Sequence, residues 1–383
     1  MNFAAESNIF VTCSRGIAPY LENELKALNF PIQNVTELGI FTKGTLYDTI
    51  SLNLQLCTAN RVRFLFKKFA ANTPKELYAQ LVKIPWEDIF PNRGYVSVTS
   101  SVVNDNITDT RFANLKCKDA IVDRIKQKTG ARPDSGPDAS KGVVFLYWKN
   151  SEAAIYLDTS GESLSRRGYR KIPLKAPMQE TLAAAVLLAA KWQGEGHFVN
   201  PMCGSGTLGI EAALIALNKA PGLLRHNFAF MHIKDFPRDA YEDIRAELRA
   251  KTRKKLDFRI ILSDRDTNAI KAAKQNAKTA GLEQLIEFQR CDFQDTEIPD
   301  GTGIVFVNPG YGVRLQDTKS LAPVYAELGD FFKQKCQGYR CYIFTGNLAL
   351  AKKVGLKTLR RLIFYNASIE ARLLEYEIYS GSR

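Results

Sequence analysis

A glycine-containing stretch in the middle of the chain has the residue types of a nucleotide-binding turn. Residues 197–206 read HFVNPMCGSG, with a short apolar run before the turn and a helix-like apolar run at 208–217 after it. A turn between a strand and a helix exposes backbone N–H groups at the positive end of the helix dipole, which suits an anionic or nucleotide-like ligand. The glycine spacing also matches G-x-G-x-x-G, the fingerprint of dinucleotide sites, at Gly204, Gly206 and Gly209.

Polar residues follow three later apolar runs, at the points where predicted strands end. They are Asp264, Asp292 and the run Asn308, Pro309, Gly310 and Tyr311. Strands and helices alternate through this half of the chain, which predicts an α/β fold with a doubly wound parallel sheet. Ligands of such sheets bind at the carboxyl ends of the strands, so the glycine turn and these polar residues are predicted to form one site.

The position of the first acid argues against a nicotinamide cofactor. A dinucleotide site places its ribose-binding acid about 20 residues after the glycines, and Asp264 lies much further along the chain. A glycine turn, two strand-terminal acids and an Asn-Pro-x-aromatic run, in that order, look instead like the S-adenosylmethionine-dependent methyltransferases.

The overall composition indicates a polyanionic partner. The 383 residues include 53 Lys and Arg against 40 Asp and Glu, a formal charge of +13. This excess favours RNA or DNA as a partner, although a merely basic soluble protein has the same charge.

The sequence also indicates where the protein is located and which sites it lacks. No apolar run approaches the roughly 18 residues of a membrane span, and the N-terminus lacks the pattern of a secretory signal. Seven cysteines without a C-x-x-C pair and three histidines argue against a zinc site and fit a reducing compartment. We therefore expect a cytoplasmic protein with no membrane segment and no metal.

The order of predicted elements divides the chain into four parts. Residues 1–70 have a β-α-β-α-β order, residues 71–160 form a second α+β unit, and residues 176–383 contain the doubly wound sheet. The linker 161–175 carries basic residues around an aromatic one: Arg166, Arg167, Tyr169 and Arg170. This combination suits a phosphate backbone and an unstacked base, so we predict that these four residues bind RNA, with a solvated linker as the alternative.

Four longer sequence segments resemble those of a single methyltransferase family. The segments are DTSGESLSRRGYR at 158–170, ETLAAA at 180–185, PMCGSGT at 201–207 and APG at 220–222. They resemble the bacterial 23S rRNA guanine-N2 methyltransferases of the RlmL type, whose members are often labelled N6-adenine-specific DNA methylases, and the similarity extends over essentially the whole chain. The resemblance implies a ferredoxin-like module at 1–70 and a THUMP domain at 71–160, both binding RNA, with 23S rRNA as the partner.

The same resemblance implies a class I methyltransferase domain, a Rossmann-like sheet with an antiparallel last strand, and S-adenosylmethionine as the cofactor. The implied cofactor-binding residues are Asn200, Pro201, Met202, Gly204, Gly206, Thr207, Asp264, Asp292 and Phe293. Gly204 and Gly206 would let the backbone approach the methionine end, beside the helix that Thr207 starts. Asp264 would accept from the ribose hydroxyls, and Asp292 from the adenine amino group, with Phe293 beside the ring. Alternatively, both aspartates are ordinary caps at strand ends.

The run 308–311 is the predicted catalytic segment. The exocyclic amino group of a purine is a poor nucleophile because its lone pair is delocalised into the ring. The Asn308 side-chain oxygen and the Pro309 carbonyl can accept its two N–H hydrogens, and Tyr311 can stack on a base that has left its helix. Orientation and proximity then provide most of the catalysis.

Two positions depart from the family pattern. Asn200 replaces the usual Asp, which removes a negative charge near the methionine ammonium, and Gly310 replaces the second Pro of Asn-Pro-Pro-Tyr, which loosens the loop. Two alternatives therefore stay open: an adenine-N6 methyltransferase acting on DNA or RNA, and an RNA-binding protein with a weakened or inactive methyltransferase site. Guanine and adenine both present an exocyclic amine, so the chemistry of the site alone does not choose between them.

Overall fold

The structure is a computed structural model that describes residues 2–103, 109–172, 174, 178–311 and 315–378, and only the backbone of residues 315–318. The chain forms two compact units, each built from segments that are separate in the sequence. The first unit consists of Met1–Cys13, Leu21–Leu164 and Arg225–Glu247, and the second of Ser14–Tyr20, Ser165–Leu224 and Leu248–Arg383. Residue 176, the predicted start of the last domain, lies outside the described residues.

The first unit contains a mixed sheet of eight strands, in the order β2-β3-β1-β4-β8-β7-β5-β6. The elements of this part of the chain are β1 (Ser7–Thr12), α1 (Ala18–Ala27), β2 (Asn34–Thr36), β3 (Gly39–Gly44), α2 (Leu46–Gln55), β4 (Arg61–Ala70), α3 (Pro74–Leu81), β5 (Tyr95–Val103), α4 (Thr110–Thr129), β6 (Asp134–Ser135), β7 (Gly142–Lys149) and β8 (Glu152–Asp158). β4 pairs antiparallel with β8. Residues 1–70 and 71–160, which the sequence order separates, therefore share one hydrogen-bonded sheet.

Alternating residues along β4 fit its position inside this sheet. Val62 and Phe64 point to one face and are buried, as the two-residue period of a strand requires. Arg61 and Arg63 point to the other face, where their nitrogens lie 3.1 and 3.5 Å from Oδ2 of Asp158, a side chain that is fully buried. The basic residues at the start of β4 therefore help to join β4 to the end of β8.

The second unit contains a seven-stranded sheet with the order β11-β10-β9-β12-β13-β15-β14. The elements from here to the end of the described chain are α5 (Glu180–Ala189), β9 (His197–Pro201), α6 (Thr207–Ala216), α7 (Arg238–Ala250), β10 (Ile260–Ser263), α8 (Thr267–Thr279), β11 (Glu287–Gln289), β12 (Gly303–Val307), α9 (Leu315–Lys335), β13 (Tyr339–Thr345), α10 (Leu348–Ala351), β14 (Arg360–Asn366) and β15 (Ile369–Glu377). β9 to β13 run parallel, and β15 is antiparallel to both of its neighbours. The predicted doubly wound sheet with an antiparallel last strand is confirmed.

The register of β9 determines where the polar residues meet. β9 lies between β10 and β12, with Pro201 opposite Ser263 and Val199 opposite Val305. Because the three strands are parallel, their carboxyl ends lie at one edge of the sheet. The glycine turn, Asp264 and Asn308 follow directly at that edge. Within the described part of the chain, no helix combines the length and the apolar character needed to cross a membrane.

Gly329 lies where α9 closely approaches the turn Lys352–Val354. A Cβ at this position would overlap the backbone oxygen of Val354, so the helix or the turn would have to move. We expect Gly329→Ala to lower the free energy of unfolding by about 1–3 kcal/mol, as overpacking does, and to lower the thermal midpoint. The control is Gly310→Ala, where a Cβ would meet the Leu321 side chain at an ordinary 3.6 Å. Equal midpoints for the two variants would contradict the prediction.

Candidate active site

The turn after β9 has the backbone shape of a ligand-binding loop. Met202, Gly204 and Gly206 have positive φ angles of 55°, 55° and 81°, a conformation that glycine adopts readily and other residues rarely. A Cβ on Gly204 would meet nothing within 4 Å among the described atoms, so there is space beside this residue. The Gly204 N–H donates to Asp264 Oδ2 at 3.0 Å, which joins the turn to the residue after β10.

Gly206 has close neighbours, whereas Gly204 has open space beside it. A Cβ on Gly206 would lie 3.0 Å from the Cβ of Ala273 in α8, and one on Gly209 would overlap the Leu262 side chain of β10. These two glycines therefore allow α6 to pack closely against α8 and β10. Gly204 is the glycine of the motif that faces open space, and the approach of a ligand to the backbone of Gly204 and Gly206 stays a prediction.

Asn200 at the end of β9 is 1% exposed and has one unsatisfied polar atom. Its Nδ2 donates to the carbonyl oxygens of Phe306 at 2.7 Å and Pro201 at 3.3 Å, whereas its Oδ1 has no hydrogen-bond partner in the part of the chain that is described. A buried acceptor without a donor costs stability, so a ligand that brings a donor is favoured here. The methionine ammonium of S-adenosylmethionine is such a donor, and Gly204 provides space in the same turn. These residues therefore fit the cofactor.

Asp264 and Asp292, which follow β10 and β11, are half-buried. Asp264 Oδ1 accepts from the backbone N–H of Asp266 at 2.9 Å, and Asp292 Oδ1 accepts from that of Gln294 at 3.3 Å. Asp292 therefore caps the short helical turn Phe293–Asp295, whereas Asp264 stabilises the turn before α8, whose cap is Asp266. A carboxylate has about four acceptor sites, so both residues can still accept from a ligand hydroxyl or amino group, as predicted.

Phe293 belongs to the hydrophobic core of the second unit. Its side chain is 5% exposed, and its ring meets that of Phe331 edge-on at 5.8 Å and 88°. The ring is therefore held in place by the core, and its position beside the cofactor ring stays a prediction. Met202, which is partly buried, packs against the same core.

The positions of three further predicted residues are given by the neighbouring strand or helix. Pro201 is the last residue of β9, and Thr207 is the first residue of α6. Pro309 is buried and comes two residues after the end of β12. The fold thus brings the predicted cofactor residues and the predicted catalytic segment to the same edge of one sheet.

Hydrogen bonds hold the loop after β12 on both sides of Gly310. The Tyr325 hydroxyl donates to the Gly310 carbonyl at 3.1 Å, and Asn347 Nδ2 donates to the Tyr311 carbonyl at 2.9 Å. The Tyr311 hydroxyl donates to Asn308 Oδ1 at 3.0 Å, and burial raises the pKa of Tyr311 above its ordinary value, so this hydroxyl stays protonated. The loop is therefore fixed without the second proline of the family pattern. Asn308 Oδ1 has a second lone pair with which to accept from a substrate amine.

The four residues predicted to bind RNA have very different exposures. Arg166 is exposed, whereas Arg167 and Tyr169 are 2% and 1% exposed. Both buried side chains reach Glu211 of α6, with Arg167 Nε 3.6 Å and Tyr169 Oη 3.0 Å from its Oε1. The prediction that Arg167 and Tyr169 contact RNA is corrected, because side chains buried in this way present no surface to a nucleic acid. Arg166 remains a candidate for such a contact.

Arg170 is bound to a second buried acid and to the start of α6. Its Nη2 lies 3.3 Å from Glu180 Oε2 and donates to Thr207 Oγ1 at 3.0 Å. Burial raises the pKa of Glu211 and raises that of Glu180 to about 6. Neither acid is among the residues predicted from the sequence, although each is a lone charge in an otherwise apolar helix. That pattern is the signal by which they could be found, since buried acids are rarely without a partner.

The raised pKa of Glu180 has a consequence for stability against pH. The folded protein binds this proton with a pKa of about 6, against 4.5 for an ordinary Glu, so stability falls as the pH rises through that interval. Glu180→Gln cannot ionise and lacks this slope. We expect the variant, relative to the wild type, to gain about 2 kcal/mol between about pH 4 and pH 7. Urea unfolding over this pH range measures the difference, and parallel stability curves would contradict the prediction.

The unsatisfied oxygen of Asn200 gives a test of the cofactor turn. Asn200→Asp would place a carboxylate oxygen against the Phe306 carbonyl, so we expect the ligand-free variant to melt at a lower temperature. S-adenosylhomocysteine (SAH), the cofactor without its transferable methyl group, should raise its midpoint by more than it raises that of the wild type, because the new charge pairs with the ammonium. Calorimetry measures both shifts, with Asn268→Asp on the exposed start of α8 as the control. A smaller or equal shift with SAH would count against this assignment.

Comparison with protein families gives three matches along the chain. The RMKL-like methyltransferase domain matches residues 167–375. The RlmL ferredoxin-like domain matches residues 8–63, and the THUMP domain matches residues 71–158. The first of these matches contains the glycine turn, the strand-terminal acids and the loop after β12.

Individual relatives are similar along almost the whole chain. The ribosomal RNA large subunit methyltransferase K/L of Syntrophotalea carbinolica is 36% identical, over 98% of this chain and 54% of that protein. The proposed RNA methyltransferase slr0064 of Synechocystis sp. is 32% identical, over 97% of this chain and 96% of that one. The crystal structure of SMU.472, a proposed methyltransferase complexed with SAH, superimposes with a TM-score of 0.88 and 28% identity, over 100% of both chains.

The chain spans about half the length of the K/L relatives that it matches. Its similarity to slr0064, in contrast, covers nearly all of both proteins. The match to the RMKL-like methyltransferase domain covers more than half of the residues. The chain therefore belongs to the RMKL-like family of S-adenosylmethionine-dependent methyltransferases.

Proposed function

We propose that this protein is an RNA methyltransferase that transfers a methyl group to the N2 amino group of a guanine in 23S rRNA. The observation that carries the proposal is the parallel pairing of β9 with β12. This pairing brings the turn with the unsatisfied Asn200 oxygen to the same sheet edge as the loop of Asn308 and Tyr311. A methyl donor and a purine amine can therefore be held next to each other, which is the main requirement of the reaction.

The side chains of the loop after β12 suit an amine substrate. The bound cofactor supplies an electrophilic methyl group. The Asn308 side-chain oxygen and the Pro309 carbonyl accept hydrogen bonds from the two N–H groups of the purine amine, which directs the nitrogen lone pair towards the cofactor. The hydrogen bond from Tyr311 to Asn308 fixes the orientation of that carboxamide, so little reorganisation is needed when the base enters.

The domain matches, the named relatives and the charge of the chain support RNA as the substrate. A THUMP domain and an RlmL ferredoxin-like domain match the residues before the methyltransferase domain. The relatives at 36% and 32% identity are named as methyltransferases of large-subunit rRNA and of RNA. The formal charge of +13 favours a polyanion. The exposed side chain of Arg166 is a candidate for contact with its phosphates.

The test is methyl transfer to isolated RNA followed by analysis of the nucleosides. With radiolabelled cofactor and 23S rRNA that lacks the modification, we expect label in N2-methylguanosine. Asn308→Ala should lower the rate by about 100-fold or more, as loss of a fixed polar group in an active site does, without a comparable loss of SAH binding. Asn268→Ala, which removes an exposed amide on α8, should leave the rate unchanged.

The same experiment separates the alternatives. Label in N6-methyladenine would replace the guanine assignment with an adenine-N6 activity, and transfer to DNA in preference to RNA would overturn the RNA assignment. Absence of transfer, with intact binding of SAH and RNA, would contradict the enzymatic proposal. It would favour an RNA-binding protein with an inactive site.

A further inference from the structure

The segment 165–172, here called the strap, is attached to the cofactor end of the second unit. It begins the second segment of this unit, directly after Leu164, and its sequence suggests an RNA-binding or solvated linker. In the structure, however, Tyr169 of the strap donates to Glu211 of α6. Arg170 of the strap donates to the Thr207 hydroxyl, at the first residue after the glycine turn. The strap is therefore hydrogen-bonded to α6, the helix whose first residue belongs to the predicted cofactor site.

A single side chain of α8, Asn276, connects the strap to the glycine turn itself. Asn276 is 0% exposed. Its Oδ1 accepts from the backbone N–H groups of Lys171 and Ile172, at 2.9 and 3.2 Å. Its Nδ2 donates to the Ser205 carbonyl at 3.0 Å and to the Ile172 carbonyl at 3.3 Å. Both lone pairs and both hydrogens of the carboxamide are thus used.

The position of Ser205 makes this connection important for the cofactor. Ser205 lies between Gly204 and Gly206, both of which have positive φ angles. Glycine has the largest conformational freedom of any residue, so a loop with two glycines loses much entropy when a ligand fixes it. A loop that is already held in its bound shape avoids that loss, and the ligand binds more tightly.

We propose that Asn276 is a positioning residue for cofactor binding, which holds the glycine turn in its binding shape by joining the Ser205 carbonyl to the strap. The proposal concerns the cofactor and is independent of which RNA base is methylated. It also gives the strap a role in the methyltransferase site, beside the Arg170 contact to Thr207.

Two substitutions separate the two halves of this connection. Asn276→Asp keeps an acceptor for the N–H groups of Lys171 and Ile172 but sets a carboxylate oxygen against the Ser205 carbonyl. Asn276→Ala removes both halves. The control is Gln275→Glu, which adds the same charge at an exposed position of the same helix.

We expect Asn276→Asp and Asn276→Ala to weaken SAH binding by about tenfold or more, measured by calorimetric titration without RNA, and Gln275→Glu to bind as the wild type does. In the methyl-transfer assay, the KM for the cofactor should rise, whereas kcat at saturating cofactor should stay within about twofold. Unchanged SAH affinity in a folded Asn276→Asp variant would overturn the proposal. So would a fall in kcat with an unchanged KM.

A measurement on the wild type tests the proposal even if the variants do not fold. Amide hydrogen exchange of residues 203–207 without ligand should be slow, because the turn is held before the cofactor binds. Exchange as fast as that of an unstructured peptide would show that the turn is not preformed, and would overturn the proposal. Because neither this measurement nor the SAH titration uses RNA, failure of the proposed guanine specificity would leave both results unaffected.

Discussion

The parallel pairing of β9 with β10 on one side and β12 on the other is the constraint on which the site depends. It aligns Asn200 with Leu262 and Val199 with Val305, so the chain must leave all three strands at the same edge. β9 is followed by the glycine turn, and β10 and β12 are followed at once by Asp264 and Asn308. The Nδ2 of Asn200 donates to the Phe306 carbonyl across the β9–β12 pair, which adds a side-chain bond where the strands end. The residues predicted to bind the cofactor and those predicted to bind the substrate amine therefore lie at the same edge of the sheet.

The sheet and its functional edge could be predicted because the information is local. β10 and β12 are short apolar runs, and Asp264 and Asn308 follow them directly, so the positions of these two residues do not depend on distant partners. The pairing between β4 and β8 is different, since it joins Arg63 to Asp158, residues that are far apart in the chain. Local patterns show that both strands exist, but they do not show that residues 1–70 and 71–160 share one sheet.

The linker shows how the same residue types can serve opposite purposes. Basic residues beside an aromatic one are typical of RNA-binding segments, and Arg166 keeps that character. Arg167 and Tyr169 are buried because Glu211, in an apolar helix of the methyltransferase domain, provides their partner. A buried acid without a partner would be costly, and so would a buried Arg, which is why the three are buried together. The glycines divide for a similar reason: Gly204 faces space, whereas the neighbours of Gly206 belong to α8.

The two departures from the family pattern have local compensations. An aspartate in place of Asn200 could not donate to the Phe306 carbonyl, and the amide makes that bond at 2.7 Å while it leaves its oxygen available. Gly310 lacks the ring that would stiffen the loop, but the Tyr325 hydroxyl holds its carbonyl and Asn347 holds the next one. Each of these bonds fixes a degree of freedom that the substitution releases. The substitutions therefore leave in place the two groups that we predict to meet the cofactor ammonium and the substrate amine, the side-chain oxygens of Asn200 and Asn308. This favours an active site over an inactive remnant.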